Sequence, residues 1–265
     1  MDLELAGKVA IVTGGSRGIG KAIARELADE GVDVAIVARD VATLEATAAE
    51  LGTASGARIL PVQADTSHDD AVRNMVRRVM DTFGRVDILV AAAATPALGP
   101  VPKLAEITDA IFWDDVNVKV MGYLRCAREV APHMVRQGWG RIVMIAGLNA
   151  RNTGSTIGSL RNAAVVALAK NLADELGPHG INVTVVHPST TRTERTPELI
   201  ATQAQQLGIS EAEAERRLAQ NNSIRQLLDA RHVAYVVTFL ASPKSLAING
   251  EVIAAGGGIG PGIYY

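Results

Sequence analysis

Cysteine is almost absent: Cys126 stands alone, so no internal disulfide can form, and no CxxC or Cys/His cluster suggests a metal. An excess of either charge is also lacking. Lys and Arg number 26 and Asp and Glu 28, a formal net charge of -2, which excludes the basic footprint of a nucleic-acid binder. No apolar run reaches the ~18 residues of a membrane span. The opening residues Met1-Asp2-Leu3-Glu4 do not read as a signal peptide. The expectation is a soluble, cytoplasmic protein. Aromatics are only 3% while glycine numbers 25, which suits a core of Ala, Val, Ile and Leu joined by tight turns.

What is present is apolar patterning. Hydrophobic residues make up 48% of the 265 and charged residues 20%, which excludes a disordered chain. The length fits one α/β domain with a modest elaboration. Short apolar runs predict strands over 8–13, 34–38, 59–62, 87–92, 141–145, 182–186 and 251–253. Helical spacing fills the gaps between them. It predicts helices over 18–28, stopped at Gly31, and 42–51, closed by Gly52. Others follow over 69–83, 113–135 and 163–176. Strands that are apolar throughout, separated by helices, imply a parallel sheet covered on both faces. The expected fold is therefore a doubly wound Rossmann sheet, with 1–265 as a single nucleotide-binding domain. One stretch, 193–222, breaks the rhythm. It is polar and predicts helices over 197–207 and 210–219. Following a strand's carboxyl end, it is either a substrate lid or a solvated insertion.

The first βα turn carries the chemistry. Thr13-Gly14-Gly15-Ser16-Arg17-Gly18-Ile19-Gly20 leaves the first strand and opens the first helix. Gly14 permits a sharp exit, Gly18 lets backbone approach a diphosphate, and Gly20 permits close helix packing. Free amides at the helix start, and the positive end of its dipole, then face phosphate. A lone Gly-rich run is weak evidence; its place between strand and helix makes it strong.

This run resembles the TGxxxGxG fingerprint of the short-chain dehydrogenase/reductase family. Further segments extend the resemblance over nearly the whole chain: Ala64-Asp65, Asn117 in VNVK, ELGPHGINV over 175–183, PSTTRT over 188–193 and the closing FLASPKSLAINGEVIAAGGG. The family implies an oxidoreductase that moves a hydride between a nicotinamide nucleotide and a carbonyl or hydroxyl. The cofactor-binding residues it implies are Gly14, Ser16, Arg17, Gly18, Ile19, Gly20, Arg39, Asp65, Thr66, Ala91, Pro188 and Thr193. By resemblance Asp65 would bond the adenine amino group and Thr193 the nicotinamide carboxamide or a phosphate. At the end of the second strand a carboxylate would bond the ribose hydroxyls and repel a 2′-phosphate. The chain has Arg39 there, with Arg17 as a second clamp, which favours NADP(H); Asp40 beside it leaves NAD(H) open. The family also implies a homo-oligomer, a tetramer or dimer, built on the helix holding Asn117 and Cys126 and on the helix from Ala163.

The family's usual acid–base set is a Ser, a Tyr and a Lys, supported by an Asn. Here Gly147 takes the serine position, and counting back from ELGPHGI puts Gly158 and Asn162 at the tyrosine and lysine positions. Only Asn117 remains, and Ala91-Ala92-Ala93-Ala94 replaces NNAG. Tyr123, Tyr235, Tyr264 and Tyr265 are far along the chain from Gly158. Lys170 lies about 12 Å along a helix from Asn162 at ~1.5 Å per residue. His187, before Pro188, can shuttle a proton or simply pack. Ser159 and Arg161 read as helix-surface or subunit-contact residues. Two accounts remain: an oxidoreductase with a non-standard site whose catalytic candidates are Asn117 and His187, and a non-catalytic NADP(H)-binding protein acting as sensor or partner subunit. A small-molecule substrate follows from the first; neither calls for nucleic acid, membrane or metal.

Overall fold

Val9–Thr13 (β1) is buried at every position and apolar up to Thr13, as a strand is when both faces of its sheet are covered. The structure, a computed structural model, describes residues 1–95 and 101–260. After β1 come Gly18–Asp29 (α1), Asp33–Ala38 (β2), Val41–Ser55 (α2), Ile59–Gln63 (β3), Asp69–Phe83 (α3) and Ile88–Ala91 (β4). The second half holds Asp109–Val116 (α4), Gly122–Gln137 (α5), Gly140–Ile145 (β5), Thr156–Leu176 (α6) and Ile181–Pro188 (β6). It ends with Thr191–Arg192 (β7), Thr196–Leu207 (α7), Glu211–Ala219 (α8), Leu228–Asp229 (β8), Ala230–Ala241 (α9) and Val252–Ala255 (β9).

The main sheet has seven strands in the order β3-β2-β1-β4-β5-β6-β9, all parallel. The chain winds outward one way from β1 and the other way from β4. The reversal point lies between them, and its carboxyl side is where such sheets bind ligands. One face is packed by α3, α5 and α6 through Met75, Val130 and Val165. The other is packed by α1, α2 and α9 through Ile23, Leu44 and Val237. At the opposite end of the sheet Asp87 is fully buried. It accepts from the Val9 amide at 2.9 Å and from Arg85 at 2.7 and 2.8 Å, which ties the start of β1 to β4.

Differences from the expected elements have local causes. Gly52 does not close α2; the helix runs to Ser55 and Gly56, at φ +73°, is the left-handed cap. The helix expected over 113–135 begins at Asp109, capped by the Thr108 hydroxyl, and is broken by a π-helical turn, Asn117–Met121. The helix expected from 163 begins at Thr156, capped by Ser155. The closing segment FLASPKSLAINGEVIAAGGG begins inside α9, where Val233, Ala234, Val237 and Leu240 recur at helical spacing and pack on the sheet. The strand expected over 251–253 is Val252–Ala255.

The expected pair of helices in 193–222 is present as α7 and α8. They bury Ile200, Ala204 and Ala214 against each other, apart from the main cores. Arg192 ties them back through Glu215 and, at 3.3 Å, Asp229.

Candidate functional site

The carboxyl ends of β1, β2 and β3 open on a cleft of about 320 Å³ lined by Gly14, Ser16, Arg17, Arg39, Asp65 and Thr66, among others. Its floor is the glycine turn. Gly14 has φ +70° and Gly18 φ +56°, conformations that side chains disfavour. A Cβ on Gly20 would lie 2.2 Å from the Gly14 carbonyl oxygen, so α1 turns tightly onto its own loop. The Thr13 hydroxyl accepts from the Ala92 and Ala93 amides at 3.1 and 3.2 Å, which locks the turn to the end of β4.

Whether a dinucleotide diphosphate fits can be tested on α1. Arg17, at its N-cap, makes no side-chain capping bond, so the first amides have no cap of their own. One is engaged from outside: Gly18 N–H donates to Glu194 Oε1 at 2.8 Å. A carboxylate therefore sits at the amide that opens the helix, the behaviour of an anion-binding helix start. Ile19 and Gly20 continue this first turn. Thr193 lies beside it, its Cγ2 3.6 Å from the Cβ position of Gly18.

Further along the cleft, Arg17 Nη2 is 2.7 Å from the Thr43 hydroxyl and 3.8 Å from Asp40. Arg39 Nη1 is 4.0 Å from Asp65. Both arginines are about three-fifths exposed at the rim. Asp40 is engaged as the N-cap of α2, accepting from the Thr43 amide at 2.9 Å; the Thr43 hydrogen bonds hold its carboxyl below the usual range. Burial raises the Asp65 carboxyl, but the Ser67 hydroxyl and amide and Arg39 outweigh it, and the net direction is down. Thr66 is buried and its carbonyl accepts from Arg125 at 3.3 Å. Ala91 is buried at the end of β4 beside Thr13. Pro188 ends β6 beside Ala255. Neither lines the cleft itself.

Around the end of β5 the expected residues divide. The Asn117 side chain faces α5 and the loop after β3: Oδ1 accepts from Arg125 at 2.8 Å and Nδ2 donates to the Ser67 carbonyl at 3.4 Å. His187 is fully buried, and neither ring nitrogen has a hydrogen-bond partner. Burial, with the charges of Arg151 and Lys119 adding, pushes its imidazole down to about 4. Gly158 donates to the Ser155 hydroxyl at 3.1 Å, and a Cβ there would lie 2.7 Å from that oxygen. Arg161 is not a surface residue: it is half-buried and ion-paired with Asp115 on α4. The Ser159 hydroxyl donates to the Asn152 carbonyl at 2.9 Å. Lys170 pairs with Asp174 on the outside of α6 at 2.6 Å. The Tyr123 hydroxyl is buried and donates to the Ile145 carbonyl at 2.8 Å, and burial raises its pKa. Tyr235 is exposed on α9, while Tyr264 and Tyr265 lie outside the described residues.

Sequence reasoning passed over Lys119. It lies in the π-helical turn, is 5% exposed, and its Nζ donates to the Ala146 carbonyl at 3.0 Å. The signal was a single charge inside the otherwise apolar run Val118–Met121. Glu194 was also missed, since only the fold brings it to the glycine turn. Among the described residues no group of His, Cys, Asp and Glu could hold a metal ion, and no helix is long and apolar enough to cross a membrane.

Residues 8–204 match a family described as short chain dehydrogenase. The short-chain reductase protein NovJ of Streptomyces niveus is 34% identical over 252 residues, covering 94% of this chain and 93% of the relative. The 3-oxoacyl-(acyl-carrier-protein) reductase FabG of Staphylococcus epidermidis is 31% identical over 256 residues, 95% of this chain and 98% of the relative. A crystal structure of L-sorbose reductase from Gluconobacter frateurii, complexed with NADPH and L-sorbose, superposes with a TM-score of 0.92 at 28% identity, covering 99% of this chain and 100% of that one.

Proposed function

Since the chain belongs to the short chain dehydrogenase family of oxidoreductases, we propose that it transfers a hydride between NADP(H) and a carbonyl or hydroxyl of a small molecule, at a site that does without the family's serine, tyrosine and lysine. The observation that carries this reading is the Gly18 amide, bonded to a carboxylate, in the glycine turn whose Gly14, Ser16 and Arg17 line an arginine-rimmed cleft. When bound, NADPH supplies the hydride.

The chain's own residues do the rest. The amides at the start of α1 hold the diphosphate, displacing the Glu194 carboxylate. Arg39 and Arg17 pair with the 2′-phosphate, as charge-assisted guanidinium–phosphate bonds favour. The use of Asp40 as a helix cap lessens the claim of a ribose-binding carboxylate. Asp65 and Thr66 flank the adenine, and Ala91, Pro188 and Thr193 border the nicotinamide half. Helices α7 and α8 close over the substrate. Asn117 holds the π-helical turn through Arg125. His187, neutral at working pH, borders the reaction chamber. A second copy of the chain docks on the apolar groove between α5 and α6, lined by Leu124, Ala127, Ala131, Val135, Leu172 and Leu176.

The test is NADPH oxidation over a panel of L-sorbose, an aliphatic aldehyde, an enone and a 3-oxoacyl thioester. Turnover above a buffer control supports the oxidoreductase. Tight NADPH binding with no turnover across the panel points instead to the sensor or partner subunit, which Gly147, Gly158 and Asn162 would suit.

A further inference from the structure

After the end of β5 two side chains that do not line the nucleotide cleft approach adjacent residues, Ala146 and Gly147. Lys119 projects from the π-helical turn, a geometry that recurs at functional sites because the extra residue re-aims the helix face. Its ammonium reaches the Ala146 carbonyl at 3.0 Å, one residue short of Gly147. An ammonium carries three donors, and this bond uses one. From α6, Asn162 is 3% exposed and its Oδ1 has no hydrogen-bond partner. Its Nδ2 lies 3.0 Å from where a Cβ on Gly147 would stand. Because residue 147 is glycine, no side chain of its own stands between its backbone and this amide.

We propose that Lys119 is the acid–base residue of the hydride transfer and that Asn162 Nδ2 holds the substrate's carbonyl oxygen beside Gly147. This rests on the oxidoreductase reading above. In the reductive direction the carbonyl carbon gains the hydride and the π-electron pair moves to oxygen. The oxygen takes a proton from the Lys119 ammonium, which becomes a neutral amine and is reprotonated from solvent. The products are the alcohol and NADP⁺. The family resemblance puts a lysine at Asn162; here the π-helical turn that keeps Asn117 also carries the lysine, two residues on. Tyr123 cannot serve as the acid, since its hydroxyl is committed to Ile145 and its pKa is raised.

The electrostatics agree. Burial, with Arg161 adding, pulls the Lys119 ammonium down to about 7, while Asp115 works the other way. An acid with a pKa near the working pH transfers protons efficiently. Asp115 on α4 and Arg161 on α6 are paired with each other. Arg151 follows β5. His187 on β6 is held near 4 and is neutral where Lys119 titrates.

The experiment compares the wild type with Lys119→Met, which keeps the stem and removes the charge, on the carbonyl panel named above. NADPH affinity, read by fluorescence, stays within about twofold, while turnover falls by about a hundredfold or more. Wild-type reduction slows as pH climbs past about 7, and the variant's residual rate loses that dependence. A readout without substrate accompanies these. Between about pH 7 and pH 10 the unfolded lysine still binds a proton that the folded one has released, so wild-type melting temperature gains on the variant as pH rises. A constant difference, or a variant with unchanged rate and pH profile, overturns the role of Lys119 and leaves the oxidoreductase reading standing. A wild type that turns over nothing in the panel overturns both. If neither Lys119→Met nor Lys119→Gln folds, the wild-type profile decides: a flat rate from about pH 6 to about pH 9 overturns the proposal.

Discussion

On the proposed reading Gly20 and Arg39 shape cofactor binding in two ways. A Cβ at Gly20 would stand 2.2 Å from backbone, the Gly14 carbonyl, so Gly20→Ala must push the turn out of its anion-binding shape. NADPH affinity then falls about tenfold or more, ~1.4 kcal/mol, and a fluorescence titration reads the loss. Arg39 acts through charge. It is exposed at the rim and 4.0 Å from Asp65, so it is available to a phosphate. Arg39→Ala therefore weakens NADPH by roughly 1.5–3 kcal/mol, the worth of a charge-assisted hydrogen bond, and leaves NADH almost unchanged. Equal losses for both nucleotides would sink the 2′-phosphate role. These residues were legible because glycine spacing and a strand-end arginine have local meanings. Lys119 was not. Its proposed role depends on a π-helical turn that shifts the helix face, and no periodicity in the sequence announces such a turn.

Strands and helices were legible where one face is buried at a fixed period. The expected bounds of α3 were matched to the residue, helped by Gly84 at φ +76° as its cap. No element was expected over 230–241, where Val233, Ala234, Val237 and Leu240 carry the helical period of α9. The links between elements were the least legible, since they join residues far apart in the chain. Asp87 is one such link: it accepts from Val9 and Arg85 at the start of β1. Asp87→Ala leaves a buried amide unpaired and frees the guanidinium, so it costs about 3 kcal/mol. Urea denaturation measures this as a lower midpoint. Glu194 is another. It joins the base of α7 to the start of α1 through Gly18, so on the proposed reading cofactor and carboxylate compete for one amide. Glu194→Ala removes the competitor and tightens NADPH severalfold, about 1 kcal/mol for an anion at a helix start. Unchanged or weaker affinity would show that the contact does not oppose the cofactor.

For the molecule as a whole, two properties follow from burial. The groove between α5 and α6 encloses about 450 Å³ and is lined mainly by aliphatic side chains with Arg128, Glu175 and His179 among them. On the two helices expected to carry the oligomer contact, Cys126 is buried in the core and Val165 faces the sheet, while Ala163 and Ala167 are exposed on α6. A dimer or tetramer on this face predicts a sizing profile at micromolar concentration with no monomer peak, and Leu172→Glu restores the monomer. Stability depends on pH through His187. Its folded pKa, about 4, lies below the ordinary 6.5, so the unfolded chain takes up a proton that the folded chain refuses. Stability is lost as pH falls from about 6.5 to about 4, and His187→Leu flattens that part of the wild-type curve. Both properties presuppose the fold; the function presupposes that the first βα turn holds a dinucleotide. Titration calorimetry with NADPH and NADH, paired with melting curves at saturation, tests that claim directly. The account predicts saturable heat, a raised melting temperature and tighter binding of NADPH than of NADH. No heat and no shift with either nucleotide would contradict it.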